Sequence, residues 1–200
     1  ELRTSAPMIN LRFFKIRDFS VGLLMIYLIA LPQQFNYVLL PIFLQTVAGY
    51  DTRTTGLAMI VVPITTTFLS SLSGYLSDKY GPYRIAPIAI VIWIFGLIMM
   101  SGLSATPTLW DVAVRVLFIG CGVGLFFTPI NSSILGSLPK EQSGIANGIM
   151  SVIRTMGQIS GISIGAFIWT MQVNQLSGQR YADISQAPQA ILHQGYSNTM

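Results

Sequence analysis

The residues with chemical potential in this chain are polar groups set inside long apolar runs. Two arginines, Arg115 and Arg154, interrupt otherwise uncharged stretches. Gln33, Gln34 and Asn36 cluster between Pro32 and Pro41, and Asn131 follows Pro129. Guanidinium and amide groups in such places bind: they donate and accept hydrogen bonds and carry fixed charge. They do not supply a nucleophile or an acid–base pair. Cys121 stands between Gly120 and Gly122 with no ligand partner nearby in sequence, which fits a packed small residue better than a metal ligand or nucleophile. His193, in a polar stretch, reads as a solvated loop residue rather than a proton relay. No metal site and no cofactor is expected.

Each arginine carries two readings. Asp111 lies four residues before Arg115, so a local ion pair near a helix end competes with a cavity-lining role. Arg154 has no acid three or four residues away. It lies about 15 Å of helix from Gly144, too deep for easy snorkelling. It must face a cavity or meet a partner elsewhere, because an arginine at a helix centre in lipid costs about 2.5–3.5 kcal/mol on insertion scales. The amides of the first run either line a cavity beside a bent helix or hydrogen-bond between packed helices. Gln33, Gln34 and Asn36 cannot all share one face, so at least one is structural.

The elements that hold these groups follow from composition. Only 9% of the 200 residues are charged and 52% are hydrophobic, against about 25% charged in a soluble domain. Runs without Asp, Glu, Lys or Arg cover 19–50, 54–77, 85–110, 116–139 and 155–179. Each exceeds the roughly 20 residues a spanning helix needs, and none alternates as a barrel strand would. The chain reads as an all-α polytopic membrane protein with spans near 19–44, 54–76, 85–104, 108–135 and 144–171. Short turns at Gly49-Tyr50-Asp51, Gly81-Pro82, Ala105-Thr106-Pro107 and Leu138-Pro139-Lys140 make successive helices antiparallel neighbours. Residues 1–18 form a cytoplasmic lead-in, basic and apolar from Pro7 onward, fit to lie on the leaflet. Residues 172–200 read as an external loop. The net charge of +4 is scattered and forms no nucleic-acid-binding patch.

Glycines at 157, 161 and 165 fall on one helix face, where small residues let backbones approach. The stretch Gly74 to Arg84 holds Asp78 four residues after Gly74 and Gly81 three after that, a tight turn in which Gly81 permits a positive φ and Asp78 can cap a helix or pair with an arginine.

That Gly-x-x-x-Asp-x-x-Gly turn with a following base resembles the signature loop of the major facilitator superfamily. Pro82 and Tyr83 stand where two bases are usual and Arg84 comes one place late, which suits the weaker copy in the family's second half. Arg115 followed by Gly120, Gly122 and Gly124 is similar to the family's fourth helix, repeated in its tenth. Gly144 to Gly165 looks like the second-half counterpart of its glycine-rich antiporter helix. The lead-in and Pro139 to Gly148 resemble the fourteen-helix drug:proton antiporters. The resemblance implies a fragment of the C-terminal half holding core helices seven to eleven, with the N-terminal half and last helix missing, in a multi-pass cell (inner) membrane protein. It implies Gly74, Asp78, Gly81 and Arg84 as the conformational loop, and Gly120, Gly124, Gly157, Gly161 and Gly165 as helix-packing positions. It implies a small-molecule substrate, protons as the coupled partner, and proton-driven efflux of hydrophobic or cationic compounds. A facilitator carrying another cargo, such as an organic anion attracted by Arg115 and Arg154, is the alternative. An integral-membrane enzyme has no catalytic group to support it.

Basic residues fix the orientation. Arg3, Arg12, Lys15, Arg17, Lys79, Arg84 and Lys140 fall on one side and Arg53 and Arg180 on the other, seven against two, which places the first side in the cytoplasm. Cysteines introduced at Lys79 and Arg180 are expected to react with impermeant reagents from opposite sides of the membrane. Labelling of both from outside overturns this topology.

Overall fold

The computed structural model describes residues 11–104, 106–177, 191–192 and 194, and those residues are helical apart from short connections. Six α-helices follow one another: α1 Arg17–Thr46, α2 Thr52–Met59, α3 Val61–Tyr80, α4 Pro82–Ser101, α5 Leu109–Gly136 and α6 Ser143–Ser177. A 3₁₀ turn at Leu11–Lys15 leads into α1, and its Phe13 and Phe14 rings meet Phe19 edge-on at 5.9 and 5.8 Å.

Four stretches are long and apolar enough to cross a bilayer: Arg17–Thr46, Thr52–Tyr80, Pro82–Ser101 and Leu109–Gly136. Their outward side chains are those of a lipid-facing surface. Phe68 is 75% exposed and Val91 66%, which water would penalise and hydrocarbon does not. The chain is an all-α polytopic membrane protein.

Local chemistry sets the helix limits. Asp51 caps α2 by accepting the Thr54 N–H at 3.4 Å, and hydrogen bonding from Thr54 holds its carboxyl below the ordinary value. The second run is not one uninterrupted helix: it breaks at Ile60. Pro63 has no N–H for the Met59 carbonyl and its ring crowds that group, so the helix yields there. Gly81 ends α3 with φ 85° while its N–H donates to the Ser77 carbonyl at 2.8 Å, and Pro82 starts α4 at once. Thr108 caps α5 by accepting the Asp111 N–H at 3.2 Å.

α6 departs most from expectation. It has 35 residues and continues to Ser177, beyond the expected loop boundary at 172. Its many Gly, Ser, Gln and Asn residues leave it outside the four apolar stretches. It packs lengthwise on α1 instead. A Cβ added to Gly157 would lie 2.7 Å from the Tyr27 carbonyl oxygen, one at Gly161 would run into the Leu31 backbone, and one at Gly165 into the Phe35 ring. The partners advance in the same direction, four residues at a time, so α6 runs parallel to α1.

A second parallel seam joins α3 and α5. Gly120 abuts Val62 and Thr65, and Gly124 abuts Thr66 and Leu69. Ser73, fully buried, donates to the Leu125 carbonyl at 2.7 Å across the same seam. α4 packs antiparallel on the opposite side of α5, where Gly96 meets the Ile119 backbone and Gly122 meets Trp93. The closest partners are therefore α4 with α5, α3 with α5 and α1 with α6. Of these, only α4 and α5 are the antiparallel sequence neighbours that short turns imply. The glycines, and not the turns, choose the partners.

Gly161→Leu is expected to force α6 off α1 and to cut folded yield sharply, since even modest overpacking costs about 1–3 kcal/mol. Gly148→Ala, where an added Cβ meets nothing within 4 Å, should be neutral. Detergent-solubilised yield and monodispersity measure both. Equal behaviour of the two variants would mean that the seam does not hold the helices.

Candidate functional site

The two arginines have opposite surroundings. Arg115 sits in the N-terminal part of α5, where Thr108 fixes the first turn and presents Asp111. Its Nε donates to Asp111 Oδ1 at 2.9 Å. An Nη group donates to the Met99 carbonyl near the end of α4. The side chain is 15% exposed and its charge is matched. Arg115 is thus a clamp between two helix ends, the local ion-pair reading, and not a free cavity cation.

Arg154 has no such partner. Its guanidinium carbon lies 4.5 Å from the Phe127 ring centre on α5, and its Nε is buried without a hydrogen bond. Asn131, one turn beyond Phe127 on α5, also buries its Oδ1 without a hydrogen bond. The Arg115–Asp111 contact is the sole ion pair among the described residues. Counting along α5 from Gly136, Phe127 and Asn131 lie about 13 and 8 Å from the C-terminal helix end. The guanidinium thus points into the bundle at mid-depth, held on an aromatic face by a cation–π contact.

The amides of α1 separate by face. Gln33 and Asn36, three residues apart, line a small cavity with Tyr37, Met59, Val62 and Val116. Its volume is about 20 Å³, room for about one water. Asn36 is 4% exposed and is engaged in the bundle. Gln34 is partly buried and does not line this space. The space beside Gln33 and Asn36 is too small for a solute.

The signature loop is mostly open. Gly74 lets α3 pass Thr128, whose methyl would lie 3.6 Å from an added Cβ. Asp78 and Arg84 are exposed, and Lys79 stacks on Tyr80 at 5.2 Å. α4 begins after Gly81 with no side-chain cap, so Asp78 does not cap α4. No ion pair of Asp78 is found among the described residues.

A larger cavity, about 420 Å³, opens between the first turns of α1 and α4 and the last turns of α5, beside Arg17, Asp18, Met25, Tyr83, Ile90 and Ile130. No sequence motif marks it. Gly22, Gly96 and Gly122 are also close-contact positions that no i, i+4 spacing flags. Only the alternation of Gly120, Gly122 and Gly124, which sends Gly122 to the opposite face, hints at the α4 contact. Cys121 is a free, partly buried thiol, and no group of metal-ligating side chains is found among the described residues. His193 lies outside the described residues.

The family model described as Major Facilitator Superfamily matches residues 2–167. The transporter YebQ of Escherichia coli K12 is 30% identical over 84% of this chain and 37% of its own length. The riboflavin transporter RibZ of Clostridioides difficile is 30% identical over 78% of the chain and 34% of its length. The multidrug export protein EmrB of Escherichia coli K12 is 29% identical over 85% of the chain and 33% of its length. The chain thus spans about a third of the length of the curated relatives it matches.

The Arg115 clamp is testable by a double-mutant cycle. Asp111→Asn and Arg115→Gln are each expected to lower thermal stability. Their combination should be milder than the sum by about 0.5–1 kcal/mol, the scale of a partly exposed pair. Strict additivity would show that the two side chains do not interact.

Proposed function

The chain belongs to the major facilitator superfamily, and on that premise we propose that it supplies helices seven to eleven of a secondary active transporter that exports small hydrophobic compounds in exchange for protons. It is a transporter chain and not an enzyme. One observation carries the cargo-binding reading: Arg154 and Asn131 bury polar atoms without a hydrogen-bond partner inside otherwise apolar helices. They are equipped to bind and not to catalyse, since neither a nucleophile nor an acid–base pair accompanies them. In this reading α6 is a fifth crossing, parallel to α1, and the seven basic residues face the cytoplasm of a cell whose inner membrane holds the protein. The rest of the transporter supplies the other half of the cavity, and the two halves rock about it. Multidrug export by one relative and riboflavin transport by another support transport of small organic molecules and leave the cargo class open.

A second cargo reading, an organic anion, rests on Arg154 alone. Arg115 no longer supports it, because Asp111 and the Met99 carbonyl already hold that guanidinium.

Asp78, exposed at the inner end of α3, is proposed to engage the other half of the transporter and steady one access state. The full-length transporter, expressed in cells lacking other efflux pumps, is expected to lower the accumulation of hydrophobic dyes. A protonophore should abolish that effect. Asp78→Asn should slow efflux several-fold while membrane insertion stays intact. Dye efflux that survives collapse of the proton gradient would overturn proton coupling, and unchanged efflux by Asp78→Asn would reject the role given to the loop.

A further inference from the structure

The unmatched guanidinium has a definite shape around it. Phe127 covers one face of Arg154 at 4.5 Å. Its Nε–H remains unbonded and buried, while the residue as a whole is partly exposed. The group is therefore held in place yet reachable. Asn131 offers an unbonded amide oxygen one helical turn from Phe127. Backbone carbonyls of α5 and α6 are committed to their own helices, and none accepts from Arg154 among the described contacts. The other arginine inside a span is spent on Asp111.

We propose that Arg154 and Phe127 together form a recognition site for one carboxylate. The planar guanidinium fork matches a carboxylate edge and is stronger toward it than toward a neutral acceptor. One cation without a second nearby balances a monoanion and falls short of a phosphate's charge. The aromatic face of Phe127 beside the guanidinium favours an anion with an apolar body over a hydrated one. The carboxylate comes either from cargo or from an acidic side chain elsewhere in the transporter. The first source deepens the organic-anion reading and rests on it; the second does not.

The experiment uses the full-length transporter in detergent, with benzoate as the probe and benzamide as its uncharged counterpart. If cargo is the source, benzoate raises the thermal unfolding temperature and binds about tenfold more tightly than benzamide, the scale of a charged hydrogen bond. Arg154→Gln removes that preference, Arg154→Lys keeps part of it, and Phe127→Leu weakens it. If a protein side chain is the source, benzoate has no effect. A hydrophobic carbodiimide then labels one carboxyl group in Arg154→Gln that it does not label in the wild type, because a carboxyl left in apolar surroundings without its cation takes up a proton. Either result upholds the site and names its partner. A transporter in which Arg154→Gln neither alters benzoate preference nor uncovers a carboxyl group would overturn it. Should Arg154→Gln fail to fold, Arg154→Met, which also removes the cation, carries the same two readouts. Both are binding or labelling measurements. Loss of dye efflux with benzoate binding intact would refute the export function and leave the site standing.

Discussion

Helices that share a bilayer gain little from hiding apolar surface from one another, because lipid tails are as apolar as leucine. Close backbone approach has to supply what the hydrophobic effect does not. In this chain that approach is concentrated at the seam where Gly157, Gly161 and Gly165 of α6 meet Tyr27, Leu31 and Phe35 of α1. The hydroxyl of Tyr27 adds a hydrogen bond to Ser160 at 3.3 Å across it. Everything that α6 presents elsewhere is set by this contact. Arg154 precedes Gly157 by three residues, about 60° around the helix from the seam. With the glycines pressed on α1, the arginine is turned toward α5, where it finds Phe127.

The two arginines show how position decides the cost of one residue type. Arg115 has an acid four residues earlier, on the same helix face and close to a helix end, and a carbonyl of α4 within reach. Its charge is neutralised where it stands, and it contributes to holding α4 on α5. Arg154 has neither an acid nor a helix end. Its cation–π contact offsets part of the desolvation, and the rest waits on a group that the described residues do not contain. A charge kept under those conditions costs stability without evident structural return, which is the usual mark of a functional group inside a membrane.

Much of this was legible in the residues. The charge-free runs gave the helices because hydrocarbon excludes charge, and Gly157, Gly161 and Gly165 announced their seam because four-residue spacing keeps one face. The i, i+4 relation of Asp111 and Arg115 made their pairing readable. What could not be read was partner choice. Short turns implied that neighbours in sequence pack together, yet α1 takes α6 and α3 takes α5. The break at Ile60 depended on Pro63 acting at a distance of one turn. Gln33 and Asn36 had the composition of cavity liners, and only the fit of α1 against α5 shows that the space beside them holds about one water. Phe127 carried no sequence signal, since a phenylalanine in an apolar helix is ordinary until a guanidinium lies over it.

The packing also explains where polar groups can be kept. A glycine seam admits only hydroxyls that bond across it, such as Ser73 to the Leu125 carbonyl and Tyr27 to Ser160, because the facing backbones already touch. The tight sets are α1 with α6, and α3 and α4 with α5; α5 approaches α1 and α6 less closely. The amides of α1 and the unpaired arginine stand where these two sets face each other. Gln33 and Asn36 lie between α1 and α5, and Arg154 of α6 reaches Phe127 beside Asn131. Such contacts are bridged by side chains and not by backbone, so they can rearrange without separating either set. Rigidity within each set and polarity between them follow from one rule of packing, and together they put the unmatched charge at the place in the bundle best able to move.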